Sequence, residues 1–235
     1  MSDLSTLQLT QIITAIGGLG TAAFGLVDAA KSAFGFINRI GLKHIDDTMI
    51  ALTPDQTGAG LSPTPPNALP RQEILATIKA NWVNGMDLGS QKAIAKSLVK
   101  LQLSPGNAAP LAAKTNVDAA TLIVVAQKIA AGIALSQSES DVYARFDLIV
   151  TALLDEAYQL SDQTYRNGTR TLAGVVAVLL AVGGAWALEG AHFWNPQDFA
   201  LAFLVGLLAT PLAPIAKDLS TALATAVNTM QVVRK

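Results

Sequence analysis

Cysteine is absent from the 235 residues, so a disulfide framework, a thiolate metal site and a cysteine nucleophile are all excluded. Charge is scarce as well. Only 14% of residues are charged, against roughly a quarter in ordinary soluble domains. Aromatic side chains supply 6% of a chain that is 51% hydrophobic, so aliphatic and small residues carry the apolarity, with 40 alanines and 18 glycines. A net charge of -1 leaves no basic footprint for nucleic acid. Disorder, collagen and an average soluble globule do not fit this composition.

What the chain does have is three long uncharged runs. Leu4 to Val27 spans 24 residues, Thr171 to Leu188 spans 18, and Phe199 to Ala216 spans 18. At about 1.5 Å per residue, 18 residues make roughly 27 Å of helix, close to the ~30 Å hydrocarbon core of a bilayer. The second run is the cleanest. The third carries Pro211 and Pro214, expected to bend its end. The first is diluted by Gln8, Gln11 and four threonines, and a signal peptide is its rival reading. Its leading residues hold Asp3 and neither lysine nor arginine, so cleavage is not expected.

Basic residues test the three-span reading. Of 16 lysines and arginines, 13 lie between Lys31 and Arg170, and the others are Lys217, Arg234 and Lys235. None lies ahead of the first span or in the loop Glu189 to Asp198. The positive-inside rule then puts the N-terminus outside, with the middle region and the tail cytoplasmic, in a plasma or inner membrane. Trp186, His192, Phe193 and Trp194 gather at the loop, where amphipathic rings settle among headgroups. Asn195-Pro196 reads as a cap followed by the first residue of a helix, so spans two and three form a hairpin.

The expected fold is therefore all-α: an integral membrane protein with three transmembrane helices and a cytoplasmic helical bundle between the first and second. The expected divisions are 1-33 for the first span, 34-70 for an amphipathic helix and linker, and 71-165 for the helical domain. A transmembrane hairpin over 166-216 and a tail helix over 217-235 complete the chain. Phe34, Ile37, Gly41, Ile45, Met49 and Leu52 share one helical stripe, which suits either a lipid interface or packing on the helical domain. The segment Thr53 to Pro70 holds five of the ten prolines and reads as an extended linker. Helices are expected from Arg71 to Val83, from a cap at Ser90, and from a cap at Thr115 or Asn116 through a buried central helix. A last helix starts near Ser138 and runs almost straight into the second span.

The search for chemistry is largely negative. His44 and His192 fall on opposite sides of the proposed membrane and cannot share a metal. Gly17 to Gly20 lacks the strand and third glycine of a dinucleotide loop. Asp46-Asp47 and Asp155-Glu156 are sequence neighbours that face different directions on a helix, as solvated pairs do. Asn167-Gly168-Thr169 matches a glycosylation sequon but would lie on the cytoplasmic side. Neither an enzyme nor a cofactor is expected.

Surfaces for helix association are present instead. Thr10, Thr14, Gly17, Thr21 and Gly25 recur at three- and four-residue intervals, with Asp28 following at the inner end. Ala173, Ala177, Ala181 and Ala185 step every fourth residue in the second run, and Ala202 and Gly206 do so in the third. Small residues at this spacing let membrane helices approach closely. They could pack the three helices of one chain, but the number of such faces points to a homo-oligomer. The expected role is a self-associating membrane scaffold, with a cytoplasmic protein as a further partner. The alternative is a pore lined by the threonine-glycine face, with an Asp28 ring at its mouth.

Overall fold

The computed structural model describes residues 6–54 and 69–233. Among the described residues the chain is all helical, without strands. In order come α1 (Thr6–Ala33), a 3-10 turn (Ile37–Arg39), α2 (Leu42–Leu52), α3 (Arg71–Val83) and α4 (Leu88–Leu101). Then follow α5 (Ala108–Thr115), α6 (Ala119–Ala131), α7 (Gln137–Glu189), a second 3-10 turn (Gly190–Trp194) and α8 (Pro196–Val233). Most of the expected linker, residues 55–68, lies outside the described residues. The rest divides into two units, Met1–Ile37 with Arg166–Lys235, and Asn38–Tyr165.

In the unit Asn38–Tyr165, the amphipathic stripe ahead of the linker is not one helix. Gly41 interrupts it with φ +86°, which closes the 3-10 turn and starts α2. A Cβ at Gly41 would also collide with the Ser161 carbonyl oxygen, so glycine is required there twice over. Leu42, Ile45, Met49 and Leu52 of α2 are buried in the core with residues of α3, α4 and α5. The α2 part of this stripe therefore packs on the helical unit, whereas Phe34 is exposed.

Helix ends follow local chemistry. After α3, Gly85 takes φ +68° while its N–H donates to Trp82 and the Met86 N–H donates to the Asn81 carbonyl at 3.1 Å. This paired closure satisfies carbonyls that a helix end leaves open. The α4 cap is Asp87, whose Oδ1 accepts from the Ser90 N–H at 2.9 Å, and not Ser90 itself. Likewise Asp118, accepting from the Thr121 N–H at 2.7 Å, caps α6 in place of Thr115 or Asn116. Those two end α5, an eight-residue helix that carries no strong sequence signal. Ser136 and Glu139 form a reciprocal capping box at the start of α7, with N–H to oxygen distances of 2.7 and 3.4 Å.

The expected central helix is only half covered. In α6, Leu122, Val125 and Ala126 are buried, but Val124 and Ile129 are exposed. The centre of the core is instead the first part of α7, where Phe146, Val150, Leu154 and Tyr158 are all buried. Its neighbour α4 runs antiparallel to it along an ion-pair ladder. Lys92 meets Asp155 at 2.6 Å, while Lys96 and Lys100 meet Asp147 at 2.6 and 3.0 Å. The four-residue spacing of the lysines puts them on one face of α4.

As expected, α7 is uninterrupted at Gly168 and continues to Glu189 as one 53-residue helix. It therefore belongs to both units, with Arg166 as the first of its residues in the other.

Candidate functional site

The unit Met1–Ile37 with Arg166–Lys235 holds three apolar stretches, Gln11–Lys31, the C-terminal part of α7, and Pro196–Ile215. Their most apolar windows have mean hydropathy of 1.6, 2.1 and 1.8. All three are long and apolar enough to cross a membrane.

Small residues do most of the close helix packing inside this unit. Ala23, Ala177 and Ala209 are fully buried against one another, with Ile16, Leu19, Val176 and Leu180 around them. Gly20 lies so close to α8 that a Cβ there would collide with the Ala209 carbonyl oxygen and sit 2.6 Å from its carbon. On the other side, a Cβ at Gly206 would be 2.5 Å from the Val178 Cα. Large side chains point the other way: Val175, Leu179, Leu201, Leu204, Leu207 and Ile215 are all at least half exposed.

The sequence-derived faces are used unequally. Ala173, Ala177, Ala202 and Gly206 are buried, and Ala181 and Ala185 are half-buried. On α1, Gly17 is buried and Thr14 half-buried, whereas Thr21 and Gly25 are exposed. The Thr10 side chain lies outside the described ones. The α1 face turned to its neighbours inside the unit is thus rotated to Gly17, Gly20, Ala23 and Val27. Ala23 and Val27 do not belong to the threonine-glycine face read from the spacing. Gly20, Ala209 and Val178 were not singled out, because which edge of a helix of small residues meets a neighbour depends on where that neighbour is. The Thr21 hydroxyl donates to the Gly17 carbonyl of its own helix at 3.1 Å. Asp28 is exposed and paired with Lys31 at 2.7 Å.

At the hairpin, Asn195 has extended dihedrals and its Oδ1 accepts from the Gln197 N–H at 3.3 Å, with Pro196 opening α8. Phe193 is buried under Trp194 and Phe199, whose rings lie 5.5 and 6.1 Å from it.

Among the described residues no three histidine or carboxylate side chains converge as a metal site. In the unit Asn38–Tyr165, the His44 Nε2 is 3.4 Å from the Thr164 hydroxyl. That unit does contain a cavity of about 350 Å³ between the 3-10 turn side, the α3–α4 turn and α7. Sequence reasoning missed it, since its walls come from residues 38, 82–91 and 162–165. Comparison with known protein families, curated proteins and solved structures found no match.

Proposed function

We propose that this protein is a non-enzymatic, membrane-integral scaffold whose three-helix unit lies in the bilayer and self-associates there. One observation carries the reading. In the unit formed by α1, the end of α7 and α8, alanine and glycine make up most of the interior, joined by Val27 and Phe193, while Val175, Leu179, Leu201, Phe203, Leu204 and Leu207 face outward. A water-soluble bundle does the reverse, and an apolar belt of this kind would drive aggregation in water. Lipid removes that cost, and close backbone packing replaces the hydrophobic drive.

Self-association rests on what the interior leaves over. Gly18, Gly25, Gly183 and Gly184 have nothing within 4 Å of where a Cβ would be, so a second copy could approach these backbones closely. The distribution of lysine and arginine supports a cytoplasmic position for Asn38–Tyr165, with the Gly190–Trp194 turn outside. Two observations weigh against a water-lined path on the threonine face: Thr21 satisfies its hydroxyl on its own helix, and Lys31 neutralises Asp28.

The test is the protein mass of the detergent-solubilised particle, for the native chain and for Gly25→Leu. A multiple of the chain mass, reduced to one chain by the substitution, is the expected result. A single-chain mass for the native protein overturns self-association.

A further inference from the structure

The aromatic pair Phe34 and Phe36 follows directly on α1. These residues are 57% and 64% exposed, and their rings lie 6.1 Å apart. The backbone that carries them is fixed. The Phe34 N–H donates to the Ala30 carbonyl at 2.7 Å, and the Ile37 N–H donates to the Phe34 carbonyl at 3.1 Å. Ile37 is buried, so the chain turns there with both phenylalanines left outside. Two adjacent exposed rings on a fixed turn are a cost in water. Their height along the three-helix unit follows from the contact of Ala23, Ala177 and Ala209. That contact lies near the middle of the apolar run of α7, because Ala177 comes seven residues after Arg170 and nine before Trp186. Phe34 comes eleven residues after Ala23, or about 16 Å of helix. In a bilayer the hydrocarbon ends roughly 15 Å from the centre, and the headgroup layer ends roughly 20–22 Å from it.

We propose that Phe34 and Phe36 are a membrane anchor, inserted among the lipid headgroups at the end of α1. The anchor rests on the bilayer reading of the three-helix unit, which puts the pair in the layer between hydrocarbon and water. Lipid is the occupant because the pair continues a surface already apolar: the stretch Gln11–Lys31 ends three residues before Phe34. Just ahead of the pair, Asp28 and Lys31 neutralise each other, so this ion pair adds no net charge to hold the turn in water. The headgroup boundary accepts apolar rings while leaving the backbone around them within reach of water. The opposite end of the unit carries rings of its own, Trp186 and Trp194, both more than half exposed. Rings at both boundaries hold the helices against sliding along the membrane normal.

The test uses the full chain, whose lack of cysteine lets a single nitroxide label be placed at will. Nothing lies within 4 Å of a Cβ added at Gly35, so Gly35→Cys puts a label between the two rings without a clash. Leu179→Cys, at a residue 65% exposed and two positions from Ala177, reports the bilayer centre, and Ser90→Cys reports water. In phosphatidylcholine vesicles, collisions with oxygen, which concentrates in hydrocarbon, are compared with collisions with a water-soluble nickel chelate. The oxygen-to-nickel ratio should be highest at position 179, intermediate at 35 and lowest at 90. Adding Phe34→Ser and Phe36→Ser to Gly35→Cys should drop its ratio to that of position 90. Both rings are exposed, so serine disturbs little internal packing, and an unchanged circular dichroism spectrum checks this. With position 179 in hydrocarbon, three results overturn the anchor alone. These are a ratio at position 35 equal to that at 90, shielding of position 35 from both reagents as under a protein surface, and a ratio the two serines leave unchanged. A nickel-accessible label at position 179 overturns the bilayer reading itself, and the anchor with it.

Discussion

Substituting Gly20 by alanine adds a single methyl group, yet the structure makes this a severe change. The new Cβ would overlap the Ala209 carbonyl oxygen, lie 2.6 Å from the carbonyl carbon and 3.0 Å from the Ala213 Cβ. Optimal separation between carbon atoms is roughly 3.5–4.0 Å, so α1 and α8 must withdraw by on the order of 1 Å. The obstacle is backbone, which cannot rotate aside. Overpacking of this kind costs about 1–3 kcal/mol, and the withdrawal also loosens the contact among Ala23, Ala177 and Ala209. Against this, alanine gains up to about 1 kcal/mol of helix propensity over glycine. Gly18, on the same helix two residues earlier, isolates that gain when both variants are compared as dissociated single chains, because nothing of its own chain lies within 4 Å of its added Cβ. Gly20→Ala should therefore be less stable than Gly18→Ala by about 1–3 kcal/mol, a factor of roughly 5 to 150 in the unfolding equilibrium. Titrating both variants from mild detergent into denaturing detergent, with helicity followed by circular dichroism, measures the difference. Equal stability of the two variants would refute the close α1–α8 crossing. Gly206→Ala, facing the Val178 Cα at 2.5 Å, should fall on the same side as Gly20→Ala.

In the unit Asn38–Tyr165, burial opposes the charge on Asp147, but the hydrogen bonds from Lys96 and Lys100 outweigh it and hold the carboxyl below its usual range. Asp147→Asn should cost about 1–2 kcal/mol at neutral pH; that advantage of the native chain exists above about pH 4 and disappears as pH falls through the lowered value, which urea titrations at several pH values would detect. The Tyr158 hydroxyl is buried without a partner among the described residues, and burial pushes its pKa up to about 12. Tyr158→Phe should therefore be neutral or stabilising by up to about 1 kcal/mol at pH 7. Between about pH 10 and 12 only the native chain should lose stability from this site, because the unfolded tyrosine ionises first; equal alkaline loss in both chains contradicts this. Because the chain has no cysteine, Gly190→Cys and Ser90→Cys report topology directly. An impermeant thiol reagent should label the first from outside intact cells and spare the second, and the reverse pattern would sink the orientation.

Local chemistry made the three long apolar helices and several helix ends legible. Eighteen uncharged residues in a row have few other uses, and Asn195-Pro196 opened α8 as its pairing of a cap with a preset φ requires. Caps were misplaced by two or three positions where several candidates stood together. Ser90 lay beside Asp87, and Thr115 and Asn116 beside Asp118, and a carboxylate with the right offset won each time. The short α5 was missed because eight residues with a proline inside carry too little periodicity. The α6 segment was expected at the centre because it is the most apolar of the shorter helices; α7 took that place through four residues spaced along its first, more charged part.

Composition alone determined that this chain is helical, sparing of charge and rich in faces of small residues, since those properties belong to each segment by itself. Which faces meet was decided only in three dimensions. Gly17 and Gly20 look no different from Gly18 and Gly25 along the helix, yet the first two are buried and the others open. The cavity walls at Trp82, Asp87, Asp162 and Tyr165 are likewise joined only when α7 returns beside the α3–α4 turn. Helical spacing constrains residues within one segment to a common side. The position of a second segment, which is set by the summed packing of the whole unit, chooses the side that is covered.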